Sequence, residues 1–190
     1  MIITIGRECG CLADELGRKL SEKYKIPCYM RAEIEKYAKE KKVYDKYPFF
    51  FGEIPTDYLM SAIDETVLQR IRKTPHDVLS QLLENQDCIV VGRASNCAFS
   101  DRKDVVRVFL CGGMEYRIYN IMKKHGVDKQ KAKKIIMDTD ERRNRYHNYY
   151  TGRIRGYAGD YDLCIDVSKI SIDKAVALIA SYIEGMKRGI

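Results

Sequence analysis

Four short apolar runs, separated by longer segments of helical periodicity, constrain the fold of this chain most strongly. The runs are rich in β-branched residues and read IITI (2–5), CIVV (88–91), VVRVFL (105–110) and LCIDV (163–167). Such runs are typical of strands buried on both faces of a sheet, and strands that alternate with helices form mainly parallel sheets. The chain has 190 residues and is 45% hydrophobic, enough for one domain with a full core. The sequence therefore predicts a single α/β domain spanning residues 1–190.

The segments between the strands predict helices with recognisable ends. Leu12, Leu16 and Leu20 share one face of a first helix, which leads into a short extended piece at residues 27–29. Thr74 is a favourable N-cap and Pro75 a favourable first helical residue, which predicts two separate helices around this point. These two helices are expected over residues 57–73 and 74–85, and others over 31–42, up to Gly126, from near Asp128, and over 172–186.

The aromatic stretch VYDKYPFFFGEIP, residues 43–55, is interrupted by two prolines and a glycine. This pattern predicts an irregular loop or flap. Two interpretations stay open, since the aromatic side chains could pack the loop onto the core or could stack on a ligand.

Charge and cysteine usage narrow the class of protein. A net charge of +7, from 34 basic and 27 acidic residues, favours nucleotides, nucleic acid or phosphorylated metabolites as partners, although a solvated basic surface would explain it equally well. The seven cysteines are scattered and the N-terminus lacks the pattern of a signal peptide, so reduced thiols in a cytoplasm are expected and a zinc site is not. No apolar run approaches the roughly 18 to 20 residues that span a bilayer.

The stretch GRECGCLAD, residues 6–14, lies between the first strand and the first helix. A strand, a glycine-containing turn and a helix direct backbone N–H groups and the positive end of the helix to one spot, which suits a phosphate. The complete phosphate-loop motif is G-x-x-x-x-G-K-[ST], and no register of this stretch supplies its glycine, lysine and hydroxyl together.

Two further constellations contain arginines. In VVGRASN, residues 90–96, Arg93 follows a strand, where it could bind a phosphate or a base edge or could simply cap the strand at the surface. In DTDERRNRYHNYYTGRIRG, residues 138–156, helical spacing places Asp140, Arg143 and His147 on one face. The arginines of this span could neutralise a transferring phosphoryl group, form a solvated face or cradle RNA phosphates.

Taken together, these pieces resemble the cytidylate kinase-like family of nucleoside monophosphate kinases. Its members typically open I-T-I-S-R-E-x-G-S-G-G-R-E, and they carry V-G-R-x-A-N and T-D-x-x-R-x-x-Y-Y-x-x-Y-T-G. The matching stretches are ITIGRECG, VGRASN and TDERRNRYHNYYTG, followed by YDLCIDVSKISIDKAV. The resemblance implies a three-layer αβα P-loop fold with a mainly parallel five-stranded sheet, a helical acceptor-binding region near residues 30–85 and a lid at 126–158.

The resemblance also implies a reaction, in which ATP with Mg²⁺ donates its terminal phosphoryl group to a nucleoside monophosphate or a similar small acceptor. No protein ligand of the metal follows from the sequence, and neither nucleic acid nor membrane is expected as a partner. By resemblance, ATP's phosphates would lie on the loop residues Arg7, Glu8, Cys9, Gly10, Cys11, Leu12, Ala13 and Asp14. The acceptor would be bound by Arg93, Arg31, Asn96 and Arg145, and the catalytic arginines would be Arg143, Arg142 and Arg153.

The chain departs from the family pattern in the second half of the loop. The family's S-G-G-R is CLAD here, so Leu12 and Ala13 replace two glycines and Asp14 replaces a basic residue. The Cβ of Leu12 penalises a positive φ, and the Asp14 carboxylate would repel a nearby phosphate. Three hypotheses follow: a phosphotransferase, a non-catalytic relative that binds a nucleotide or phosphorylated ligand, and a basic RNA-binding protein, which leaves the strand-end arginine unexplained.

Overall fold

A five-stranded sheet forms the centre of the molecule, and every strand pair in it is parallel. The computed structural model describes residues 1–52, 64–83, 85–99 and 102–188. The strand order is β2-β3-β1-β4-β5. The bounds are β1 (Ile2–Arg7), β2 (Cys28–Tyr29), β3 (Cys88–Val91), β4 (Val105–Cys111) and β5 (Leu163–Asp166). The four predicted runs are therefore strands, and the extended piece at residues 27–29 supplies the fifth.

Strand β1 lies at the middle of the sheet, with β3 on one side and β4 on the other. Ile3 pairs with Ile89 of β3 and with Val106 of β4, and all three side chains are buried. In open parallel sheets, ligands bind in the crevice beyond the carboxyl ends of the strands. The central position of β1 thus brings its last residue, Arg7, beside the turn that follows β3.

Helices cover both faces of the sheet and complete a three-layer αβα fold, as expected. One face is packed by α1 (Ala13–Tyr24) and α7 (Ile172–Arg188), through residues such as Leu16, Leu20 and Ile179. The other face is packed by α2 (Arg31–Glu40), α3 (Pro48–Phe51) and α4 (Glu65–Leu83). Two more helices, α5 (Met114–His125) and α6 (Lys129–Thr151), pack against each other beyond the carboxyl edge.

The prediction of two helices meeting at Thr74 is wrong, because α4 runs unbroken from Glu65 to Leu83 with Pro75 inside it. Residues 57–63 of the first expected helix lie outside the described residues. The Thr74 hydroxyl donates back to the carbonyl of Arg70 at 3.3 Å instead of capping a new helix. Pro75 is buried together with Val78 and Leu79, so the packing of one continuous face outweighs the backbone hydrogen bond that proline cannot donate.

The aromatic segment is more regular than an irregular loop. A 3₁₀ turn at Tyr44–Lys46 leads into the short helix α3, and residues 53–55 lie outside the described part. Phe50 and Phe51 are each 1% exposed and belong to the core on the α4 side of the sheet. Of the two interpretations, packing onto the core is thus the one that the structure supports for these rings.

Helix α6 is the main element of the expected lid. It begins after Asp128, whose carboxylate accepts the N–H of Lys131 at 2.8 Å, and it ends at Gly152, where φ is +67°. Both ends follow the usual capping chemistry of an Asp N-cap and a left-handed glycine. The helix is 23 residues long and reaches back over the carboxyl ends of the strands. The limits 126–158 for the lid and 30–85 for the acceptor region remain predictions.

Candidate functional site

The loop between β1 and α1 is held by carboxylates and carbonyls of its own chain. The N–H of Glu8 donates to the Leu110 carbonyl at 2.9 Å, and the N–H of Cys9 donates to Oδ1 of Asp140 at 2.9 Å. Oε2 of Glu8 in turn accepts the N–H of Gly112 at 3.0 Å. A side chain of α6 therefore lies on the backbone where the sequence predicts phosphate binding.

Arg117 of α5 is buried against this loop. Its Nε donates to the Cys9 carbonyl at 2.8 Å, its Nη1 lies 3.4 Å from Oε2 of Glu8, and its Nη2 is hydrogen-bonded to Asp140. The sequence reasoning missed this residue. Its signal is a charged side chain on the same buried helical face as Ile118 and Ile121, since buried charges are normally paired.

Gly10 allows the close approach between loop and helix. Its φ is +90°, and a Cβ at this position would lie 2.8 Å from the Arg117 carbonyl oxygen. On the same side, Nδ2 of Asn120 donates to the Gly10 carbonyl at 2.9 Å. The loop is thus packed onto α5 by its backbone.

The start of α1 offers little to an anion. Leu12 occupies the N-cap with φ +54° and ψ +31°, the left-handed conformation in which a Cβ is unfavourable. Asp14 and Glu15 lie in the first turn, where they offset the positive end of the helix dipole. Asp14 pairs with Lys124 of α5 at 3.5 Å.

ATP and Mg²⁺ do not fit the loop in this conformation. The Cys9 N–H donates to a carboxylate, and residues 7–14 include neither a lysine nor a serine or threonine hydroxyl. Across the described ranges, no group of three or more His, Cys, Asp or Glu side chains could hold a metal ion. A phosphate oxygen could accept the Cys9 N–H only after Asp140 moved away.

A cavity of about 560 Å³ opens beside the loop, beyond the ends of β1 and β3 and under α6. Among the described residues, no Asp or Glu lines it, whereas its lining includes seven arginines. These are Arg7, Arg31, Arg93, Arg142, Arg143, Arg145 and Arg155. Its volume falls within the range of about 300 to 1,000 Å³ usual for small-molecule sites. Its lining is suited to an anion.

Arg7 reaches the cavity because the residue opposite it is glycine. A Cβ on Gly92 would lie 2.2 Å from Nη1 of Arg7, so no side chain fits there. Gly92, Arg93 and Ala94 all have positive φ, at 86°, 58° and 51°, a strained turn of the kind found at functional sites. Burial, and next the nearby Arg143 guanidinium, lower the pKa of Arg7 to about 9. An anion in the cavity would offset both effects.

Arg93 forms part of the cavity wall. Its Nη1 donates to the carbonyls of Phe50 and Gly52 at 2.9 and 3.1 Å, and its Nη2 donates to that of Phe51 at 2.8 Å. Its guanidinium lies 5.0 Å from the centre of the Tyr146 ring. These contacts fix Arg93 to the end of α3, so much of its hydrogen-bonding capacity is already used.

Three residues of the cavity lining have buried polar atoms without a hydrogen-bond partner. These atoms are Nδ2 of Asn96, Nη1 of Arg143 and Nε2 of His147, and the described residues contain one more such atom, Oγ1 of Thr4. Buried polar atoms are nearly always paired, so an unpaired group calls for an explanation. Burial lowers the pKa of Arg143 and that of His147, the latter to about 4.

Arg155 connects the loop with the lid helix. Its Nε donates to Oδ1 of Asn144 at 2.7 Å, its Nη2 donates to Oδ1 of Asp140 at 3.1 Å, and its Nη1 donates to the Arg7 carbonyl. It belongs to the arginine-rich span of the sequence, but no specific site role was predicted for it.

The predicted site residues divide into two groups. The structure brings together the acceptor residues Arg31, Arg93, Asn96 and Arg145 with Arg142, Arg143 and Arg7 around the cavity. The remaining loop residues, Glu8 to Asp14, are not in its lining, and neither is Arg153. Nη1 of Arg153 instead donates to Oδ1 of Asp160 at 2.6 Å. The roles of all these residues remain predictions.

The seven cysteines are all free thiols. Two of them, Cys9 and Cys11, lie in the loop and are buried. Burial, and secondarily the Glu8 carboxylate, raise the pKa of Cys11 to about 12. Within the described part of the chain, no helix is both long and apolar enough to cross a membrane.

Comparisons with known proteins agree with this architecture. The model of the cytidylate kinase-like family matches residues 2–169. An uncharacterized protein from Eubacterium ventriosum is 29% identical, with a TM-score of 0.72 and coverage of 97% of this chain and 98% of that one. No curated protein matches the chain.

More distant structures share the fold. A gluconokinase from Sinorhizobium meliloti is 15% identical, with a TM-score of 0.53 and coverage of 98% of this chain and 95% of that one. A shikimate kinase from Bacteroides thetaiotaomicron is 14% identical, with a TM-score of 0.51 and coverage of 97% and 98%. At these identities the likeness concerns the fold alone, which is that of P-loop kinases.

Proposed function

Because the chain belongs to the cytidylate kinase-like family, we propose that it is a phosphotransferase whose acceptor is a phosphorylated small molecule bound in the arginine-lined cavity. A nucleoside monophosphate is the acceptor that the family resemblance implies. ATP and Mg²⁺ are the implied donor and metal ion, and the loop must change before it could hold them.

The observation that carries this proposal is the unbalanced charge of the cavity. Seven arginines line it and no Asp or Glu of the described residues does, although Asp140 and Glu141 approach three of these arginines from outside the lining. Nη1 of Arg143 is buried there with no hydrogen-bond partner. Such an arrangement costs free energy unless an anion compensates it. A phosphate group would do so, since guanidinium groups bind phosphate oxygens with charge-assisted hydrogen bonds.

The described residues divide the work of binding between a fixed wall and two largely buried cations that line the cavity. Arg93 and Tyr146 are held by the carbonyls of α3, with the Tyr146 hydroxyl donating to that of Phe50 at 2.8 Å. Arg7 and Arg143 approach the cavity from β1 and from α6. In phosphoryl transfer, positioning of the reactants and positive charge supply most of the catalysis. We assign acceptor positioning to Arg7 and charge stabilisation to Arg143.

Turnover and binding together test the proposal. Purified protein is incubated with Mg-ATP and a panel of nucleoside monophosphates and other small phosphorylated acceptors, and diphosphate or doubly phosphorylated products are sought. We expect product with at least one acceptor, and about a hundredfold lower turnover in Arg143→Ala because a buried charged contact is lost. Arg18→Ala, an exposed arginine of α1 outside the cavity lining, is the matched control.

Melting curves with inorganic pyrophosphate give a second readout. If the panel yields no product and pyrophosphate does not raise the melting temperature of the wild-type protein, the proposal is wrong. If pyrophosphate stabilises the protein without any turnover, the chain is a non-catalytic phosphate-binding relative.

A further inference from the structure

The Asp140 carboxylate lies in a set of donors that suits an external anion. Its Oδ1 accepts the N–H of Cys9 at 2.9 Å and Nη2 of Arg155 at 3.1 Å, and its Oδ2 accepts Nη2 of Arg117. Nη1 of Arg143 lies 3.9 Å from Oδ1. One carboxylate is therefore surrounded by three guanidinium groups and a loop N–H.

These donors have the chemistry of a phosphate site. A backbone N–H in a loop between strand and helix and the planar forks of two arginines are the groups that bind phosphate oxygens in proteins. A carboxylate has two acceptor oxygens and one negative charge, whereas a phosphate group has three acceptor oxygens and about 1.5 to 2 negative charges. Asp140 and Glu8, which lies 3.4 Å from Arg117, supply two negative charges to three guanidinium groups, so one positive charge remains in excess.

We propose that the Asp140 carboxylate occupies a phosphate-binding position formed by the Cys9 N–H, Arg117 and Arg155, and that the phosphate chain of a nucleotide takes this position when Asp140 withdraws. The proposal rests on the proposed phosphotransferase function for the identity of the ligand. It concerns the donor side of the site, next to the cavity that holds the acceptor, and Arg155 contributes to both.

The elements that carry these groups allow such an exchange. Asp140 belongs to α6, the helix of the expected lid, whereas Arg117 belongs to α5 and is held on the loop by its own bond to the Cys9 carbonyl at 2.8 Å. Movement of α6 would remove the carboxylate and leave Arg117 and the Cys9 N–H in place. The loop would then present donors in place of a closed ion pair.

Titration calorimetry tests the exchange. ATP is titrated without magnesium into the wild-type protein, into Asp140→Asn, and into Asp138→Asn as the matched control, an exposed acid of the same helix. Competition by Asp140 predicts at least about tenfold tighter ATP binding in Asp140→Asn and no change in Asp138→Asn. Equal affinity of wild type and Asp140→Asn, or no binding by either, overturns the inference.

The two proposals can fail separately. Equal ATP affinities of wild type and Asp140→Asn would overturn the exchange without altering the turnover and pyrophosphate results of the wild-type protein. Absence of turnover, in turn, does not alter the comparison of ATP affinities. Inorganic phosphate in the same titrations distinguishes a site for a phosphate chain, which binds ATP more tightly, from one for any phosphate, which binds both equally and overturns the nucleotide assignment.

A measurement on the unaltered protein covers the case in which Asp140→Asn does not fold. In ¹H–¹⁵N spectra, millimolar ATP is expected to shift the Cys9 amide together with the Nε–H signals of Arg117 and Arg155. If the Cys9 amide does not move at 10 to 20 mM ATP, roughly ten thousand times a micromolar Kd, the inference is overturned.

Discussion

The loop and the cavity lie on either side of Arg7 and differ in how their charges are balanced. In the loop, Arg117 is matched by Glu8 and Asp140, and the Cys9 N–H donates to the same Asp140 carboxylate. No Asp or Glu of the described residues lines the cavity, although Arg155 and Arg143 lie 3.1 and 3.9 Å from Asp140, and Arg145 lies 3.7 Å from Glu141. The loop is closed by carboxylates of its own chain, whereas the wall of the cavity presents arginines without an Asp or Glu among the described residues.

This difference separates a closed loop from an open cavity that meet at one residue. Arg7 belongs to both regions, because its carbonyl accepts Nη1 of Arg155 in the loop network while its guanidinium lies in the cavity. A loop that is closed by an internal carboxylate and a cavity that is rich in cations can therefore differ in their response to mutation, pH and anions. Three changes should separate them.

Replacing Arg117 with methionine should disrupt the ion pairs that hold the loop. The methionine keeps an apolar stem but leaves the carboxylates of Glu8 and Asp140 without their cation, which is expected to lower the free energy of unfolding by about 3 to 5 kcal/mol. Denaturant unfolding measures the change. Lys124→Met removes the exposed pair with Asp14 and should cost under about 1 kcal/mol. A similar small cost for both variants would contradict the assignment of Arg117 to the loop.

The cavity side should respond to acid through His147, which is 4% exposed. Burial, and next the Arg155 charge, lower its pKa from 6.5 to about 4. The unfolded chain therefore binds a proton below about pH 6.5 that the folded protein does not, and stability is lost as the pH falls towards 4, by about 1.4 kcal/mol per pH unit and about 3 kcal/mol in all.

Unfolding free energies measured between pH 7 and pH 4 check this loss. His147→Gln should make the profile flatter by that amount, whereas His125→Gln, at an exposed position of α5, should leave it unchanged. Parallel profiles for wild type and His147→Gln would show that this imidazole is not buried in the neutral form.

Gly92→Ala should displace the Arg7 guanidinium from the cavity, at a smaller cost in stability than the two changes above. The new methyl group would lie 2.2 Å from Nη1 of Arg7 and displace it, so pyrophosphate binding should weaken about tenfold. Gly126→Ala is the control, since its φ of +63° carries a similar backbone penalty but no atom lies within 4 Å of the new Cβ. Both variants should lose about 1 kcal/mol of stability, and equal pyrophosphate affinities would argue against a role of Arg7.

The sequence predicted the sheet and, through the family resemblance, the αβα layers, and it singled out six of the seven arginines that line the cavity. Buried parallel strands produce a local pattern of β-branched residues, and the positive φ of Leu12 is the strain that the loss of a glycine implied. Arg93 and Asn96 were identified because they follow a strand in a short motif, and both line the cavity.

What the sequence could not give depends on contacts between distant residues. The pairs of Arg117 with Glu8 and of Asp140 with Cys9 join positions more than 100 residues apart, and no local pattern reports them. The unbroken helix through Pro75 has a related cause, because burial against the sheet outweighed a local signal for a helix start. Arg153 is the opposite case, because the sequence pattern at residues 138–156 singled it out but its side chain is not in the cavity lining. It pairs instead with Asp160, which also lies outside that lining.

The thiols in the loop give the closed conformation a chemical signature. Cys9 and Cys11 are 6% and 1% exposed, and the raised pKa of Cys11 keeps it in the unreactive protonated form. An alkylating reagent can modify Cys9 only during excursions in which the loop separates from α5 and α6, and Cys11 only when the loop leaves the core between the sheet and α1. The rate at which Cys9 and Cys11 are alkylated therefore measures how often the loop opens, without any added label.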